Sequence, residues 1–152
     1  MKMEKPIKKG SPTINVRKII RIGVIGYSAQ KFNELTARAY INDTFNLLKE
    51  HFGENTDFHV YSGLTNLGIP KLAYENAVDR NWKTVGFAAK CAEEYEWFPC
   101  DSHFIVGENW GDESEAFLEN IDILVKIGGG NQSQREMEMA KEKGLRVISY
   151  DI

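Results

Sequence analysis

Three consecutive glycines, Gly128, Gly129 and Gly130, run into Asn131, Gln132 and Ser133, and this is the segment whose residue types point most directly at chemistry. It follows an apolar run and opens a helical pattern. Glycine lets the backbone turn tightly and leaves no Cβ between an anion and the amide hydrogens. Exposed N–H groups and the dipole of the following helix favour a phosphate there. The spacing is neither G-x-G-x-x-G nor G-x-x-x-x-G-K-[ST], which disfavours ordinary dinucleotide binding and ATP hydrolysis. Ser133-Gln134-Arg135-Glu136 also fits the capping box S-x-x-E, with Glu136 reaching back to the helix start. A cap needs no ligand, yet it does not account for three glycines in a row. Glu136 therefore has two readings. It is a cap, or it is a carboxylate beside a ribose that accepts a hydroxyl proton, stabilises an oxocarbenium ion or activates water.

The second such segment is Asn109-Trp110-Gly111-Asp112-Glu113-Ser114. Trp110 can stack on a base, and Asp112 or Glu113 can bind ribose or serve as a second catalytic carboxylate. The same acids suit the first turn of a helix. Gly26, Tyr27 and Ser28 follow the first strand, with Gln30 and Lys31 nearby; Gly63, Thr65 and Asn66 follow the second. Each can meet a phosphate or a ribose, and each also suits turn chemistry. Lys90 is a further phosphate candidate. Cys91 and Cys100 have no His-and-acid arrangement and read as buried thiols. Neither the cysteines nor His51, His59 and His103 make a zinc pattern, so no metal and no cofactor are expected.

These loops share a rim only if the elements between them alternate, and they do. Ile19–Ile25 is an almost continuous β-branched run. Ala37, Ile41, Phe45, Leu48 and Phe52 then fall on one helical face. Strands are expected at 58–61, 84–88, 103–106, 121–127 and 146–150. Helices are expected from Pro70, around 116–118 and from about Gln134 to Lys143, with a short one across Ala92–Trp97. Strand and helix alternating about every 25 to 30 residues imply βαβ units. The expected fold is α/β: a doubly wound, mostly parallel sheet in a three-layer α/β/α, Rossmann-like domain over 19–152. In such a sheet ligands bind outside the carboxyl ends of the strands. The opening residues 1–18, with Lys2, Lys5, Lys8, Lys9, Arg17 and Lys18, read as a flexible basic tail.

Composition narrows the partners. The chain carries 19 basic and 22 acidic side chains, a net charge of −3, which disfavours a nucleic-acid partner. No apolar run approaches the roughly 18 residues of a membrane span. No apolar signal stretch opens the chain, and two cysteines rule out a disulfide scaffold, so a cytoplasmic protein is expected.

Gly128 to Glu136 resembles the P-G-G-x-G-T-x-x-E signature of the LOG phosphoribohydrolases, once labelled lysine decarboxylases, within the SLOG nucleotide-binding superfamily. Gly128 sits at the proline, Gly129 and Gly130 at the paired glycines, Gln132 at the later glycine, Ser133 at the threonine and Glu136 at the glutamate. The likeness extends in layout over roughly residues 20 to 152. Ile22–Ser28 is similar to the first strand and its loop, and Ser62–Pro70 to the second Gly-rich turn, with Ser62 in place of one glycine. The resemblance implies a rim that binds a nucleoside 5′-monophosphate, and a homodimer. It also implies that the motif glutamate and an arginine cleave the N-glycosidic bond to ribose 5-phosphate. The helix expected to carry that arginine, Ser114 to Asn120, has no basic residue. Three functions follow from this reading: a nucleoside-monophosphate phosphoribohydrolase, a non-catalytic nucleotide sensor or carrier, and a deoxyribosyltransferase-like enzyme using Glu136 or Asp112 as nucleophile.

Overall fold

The computed structural model describes residues 16–152. Most of the basic segment read as a tail lies outside the described residues. Its last two members belong to the domain: Lys18 opens the first strand, and Arg17 donates to Asp57 Oδ1 at 2.8 Å.

The chain runs β1 (Lys18–Gly26), α1 (Glu34–Phe52), β2 (Thr56–Ser62), α2 (Gly68–Asp79), β3 (Lys83–Ala88), a 3₁₀ turn (Lys90–Glu94), β4 (Ser102–Ile105), α3 (Ser114–Glu119), β5 (Ile123–Ile127), α4 (Asn131–Glu142) and β6 (Arg146–Tyr150). The strands form one sheet in the order β4-β3-β2-β1-β5-β6, and every pairing is parallel. This is the doubly wound, three-layer architecture the alternation implied. Ile22, Val24, Val60 and Val125 meet Ala37, Ile41 and Phe45 of α1 and Leu72 and Ala73 of α2 on one face. On the other face Ile25, Phe87 and Leu124 meet Phe117 and Leu118 of α3 and Ala140 of α4. The stripe expected on α1 is the one that is buried, with Phe52 at its half-buried end.

Three elements differ from the sequence expectation. Helix α2 starts two residues before Pro70, because the Ile69 N–H donates to Tyr27 O at 2.7 Å and ties its first turn to the loop after β1. Residues 92–97 do not make an α-helix. The 3₁₀ turn ends at Glu94, and Thr65 bridges to Trp97 instead. Helix α4 starts at Asn131, three residues before its expected beginning.

The strand order sets where the sheet leaves room for a cleft. Strands β1 to β4 build outward in one direction, β5 and β6 in the other, so the winding reverses between β1 and β5. Their carboxyl ends approach closely: a Cβ on Gly26 would stand 2.2 Å from Ile127 O, so only glycine fits.

Candidate ligand-binding site

A cleft of about 400 Å³ opens above this reversal, within the range of small-molecule sites. The loop after β1 contributes Gly26, Tyr27 and Ser28, and the loop after β2 contributes Gly63 and Thr65. Trp110 and Glu113 enter from the loop before α3, and Gly130, Asn131, Gln132, Ser133 and Glu136 from the start of α4. Phe87, Leu64 and Phe117 give it an apolar floor. No lysine or arginine lines it among the described residues.

At the α4 end, the amides at the cleft are not those of all three glycines. The Gly128 N–H donates to Tyr150 O at 2.9 Å, which joins the loop to β6. Gly128 and Gly129 lie behind the cleft wall, both with positive φ. Gly129 takes φ 109°, and a Cβ there would meet Ser133 at 2.5 Å. Gly130 is the N-cap, in extended conformation, and no side chain caps the helix. Gln134 N–H is the first to reach a carbonyl, Gly130 O at 3.0 Å. The preceding N–H groups of Asn131, Gln132 and Ser133 form the helix terminus at the cleft. Glycine thus shapes the turn, and the first turn of α4 supplies the donors.

The capping box does not form, and this is a correction. With the helix starting at Asn131, Ser133 lies inside its first turn, its Oγ 3.5 Å from Gly26 O. Glu136 lies one turn further on, too deep to reach back. It is 5% exposed and receives the Ser114 hydroxyl at 2.6 Å and a Gln132 Nε2–H at 3.2 Å, both on Oε2. Burial pushes its carboxyl above the usual range, and the neighbouring Glu113 charge adds to this. The hydrogen bonds from Ser114 and Gln132 and the charge of Arg135 act the other way.

Glu113 is the second buried carboxylate, 7% exposed. Its Oε1 accepts the Gly111 N–H at 2.9 Å, and its Oε2 accepts Gln132 Nε2 at 3.3 Å. The Gln132 amide therefore bridges two buried carboxylates. Of the acids in this segment, Asp112 is the one that stands outside the cleft. Its Oδ2 accepts the N–H groups of Glu108 and Asn109, both at 2.9 Å, and these bonds hold its pKa below the ordinary value. A carboxylate so engaged closes the loop, and it does not line the cleft. Asn66 is also turned away: its Nδ2 donates to Glu96 at 2.7 Å, and it does not line the cleft.

Sequence reasoning weighed Glu113 only beside Asp112 and missed Ser114 and Arg135. Nothing in the local pattern marks Ser114, because its partner lies 22 residues away. Arg135 packs its guanidinium against Gly111, placing a positive charge beside the loop without lining the cleft. Cys100 is partly buried and its thiol is pushed up to about 11, chiefly by burial, as an inert thiol requires. Among the described residues no group of three or more His, Cys, Asp or Glu side chains is placed to hold a metal. No helix among the described residues is long and apolar enough to cross a membrane.

No protein-family model and no curated protein matches the chain. Solved structures do. A molybdenum cofactor binding protein from the phototrophic bacterium Rippkaea orientalis superimposes with a TM-score of 0.70 at 18% identity, over 90% of this chain and 78% of that one. The molybdenum cofactor carrier protein of Chlamydomonas reinhardtii gives 0.69 at 19% identity, over 88% and 76%. The structural-genomics target TM1055 gives 0.67 at 21% identity, over 84% and 72%. Identities of this size speak for the fold alone. The chain has the Rossmann-like α/β/α fold of these proteins, the fold its resemblance to the SLOG superfamily implied.

Proposed function

We propose that the chain binds a phosphorylated heterocycle of the nucleoside 5′-monophosphate type in this cleft and holds it without turnover. The observation that carries the reading is the meeting, in one cleft at the strand reversal, of the first-turn amides of α4 and the ring of Trp110. The amides suit a phosphate, the ring suits a planar base, and Ser28 and Thr65 offer hydroxyls between them. Two features favour holding over cleavage. Among the described residues no cationic side chain lines the cleft to stabilise a departing phosphoribosyl group, and Glu136 is bound by both Ser114 and Gln132. The fold neighbours described as a molybdenum cofactor binding protein and a molybdenum cofactor carrier protein fit a holding role.

A second reading rests on Glu136. A buried carboxyl with a raised pKa is suited to give a proton to a leaving base, as hydrolysis of the N-glycosidic bond requires. One experiment separates the two. Purified protein is titrated with adenosine and guanosine 5′-monophosphates by calorimetry, and the same mixtures are assayed for free base. Saturable binding without base release is the expected result. Base release that disappears in Glu136→Gln would establish the hydrolase, and absence of binding would remove both readings.

A further inference from the structure

The loop carrying Trp110 is built as a rigid unit, although Trp110 itself is 51% exposed. Asp112 gathers the amides of Glu108 and Asn109. The 3₁₀ turn donates Lys90 N–H to Gly107 O and Cys91 N–H to Glu108 O. Tyr95 at the end of that turn packs beside Trp110, ring centroids 5.8 Å apart. Beside the Arg135 packing and the Ser114–Glu136 bond, one side-chain link joins the residue next to Trp110 to α4. Glu113 holds the amide of Gly111, next to Trp110, with one carboxylate oxygen and Gln132 of α4 with the other. A solvated surface glutamate would do neither, whereas this one is buried and faces the cleft.

We infer that Glu113 is a positioning residue that sets Trp110 as a stacking wall relative to the amides of α4, so that the cleft selects a ligand having both a planar heterocycle and an anionic group. This rests on the proposed binding of phosphorylated heterocycles and adds the residue that decides which of them are held. A sugar phosphate without a ring meets only the α4 end and gains nothing from the wall. A ring without a phosphate gains nothing from the amides. Glutamine at 113 keeps one acceptor oxygen but turns an NH₂ group towards the NH₂ of Gln132 or the N–H of Gly111. One of the two ties must break, with little change in volume.

Calorimetric titration with guanosine 5′-monophosphate and with ribose 5-phosphate tests this on four proteins: wild type, Trp110→Ala, Glu113→Gln and the double variant. Loss of ligand-induced fluorescence quenching in Trp110→Ala gives an independent reading, because of the three tryptophans only Trp110 lines the cleft, while Trp82 and Trp97 do not. The nucleotide is expected to bind wild type about tenfold or more tighter than ribose 5-phosphate, the scale of one stacked base. Each single substitution removes most of that advantage, read as the ratio of the two affinities within the same variant. Glu113→Gln is expected to cost nothing further once Trp110 is gone, since it acts through that ring. A merely structural glutamate would weaken both ligands equally in both backgrounds, and that result would overturn the inference while nucleotide binding stood. If wild type binds neither probe, the proposed function falls and this inference with it.

Discussion

Burial beside Ser114 and Gln132 makes ionisation of Glu136 harder in the folded chain than in the unfolded one. The folded protein then holds its proton to higher pH, so stability is full in acid and declines as pH rises from the ordinary value towards the raised one. Glu136→Gln keeps an acceptor for both hydrogen bonds and never ionises. It is expected to melt above wild type at neutral pH, with the gap closing below the ordinary 4.5; melts across a pH series check this, and a constant gap would refute it. The glycines give a contrast of a different kind. Gly129→Ala forces a positive φ and a clash with Ser133, and is expected to cost about 2 kcal/mol or more of stability in chemical denaturation. Gly130→Ala meets nothing within 4 Å, so it should cost only the N-cap preference, about 0.5–1 kcal/mol, while its methyl group, at the cleft edge, weakens nucleotide binding. The triple glycine was legible as a tight turn that opens a helix, but which of its amides the fold occupies was not. Gly128 N–H is occupied by Tyr150 O, and that contact depends on where β6 lies.

Elements were more legible than their ends. Helix α1 shows why: Asn33 Oδ1 accepts the Thr36 N–H at 3.0 Å, and an apolar stripe follows at helical spacing. Removing the cap by Asn33→Ala is expected to lower stability by about 1 kcal/mol, measured by urea denaturation. Helix α4 resisted the same reasoning. Ser133 and Glu136 match a capping box, yet Gly130 in extended conformation lets the helix begin three residues earlier and places both side chains within it. The motif is local, whereas Glu136 answers to Ser114 on a different helix. The 3₁₀ turn after β3 was ambiguous for a similar reason: Thr65 takes Trp97 into an isolated bridge across the chain, which no periodicity announces.

At the scale of the molecule, the proposed ligand must stabilise the fold it binds. A nucleoside monophosphate present at about 100 times its Kd is expected to add roughly 2.7 kcal/mol and to raise Tm by about 5–10 °C, read by scanning calorimetry; no shift at saturation would contradict binding to the native state. What the sequence determined by itself was the parallel α/β architecture, because buried apolar runs such as Ile22–Ile25 and the stripe from Ala37 to Leu48 can be covered in few ways. It also determined that Gly26, Gly63, Trp110 and Gly130 belong to one rim, since loops that follow parallel strands share an edge. Only the tertiary structure decided that the winding reverses between β1 and β5, that Glu113 rather than Asp112 enters the cleft, and that Gln132 joins two buried carboxylates. Those facts are long-range pairings between side chains on separate elements, and a pattern along the chain records what each element wants to bury, not whom its polar groups will meet.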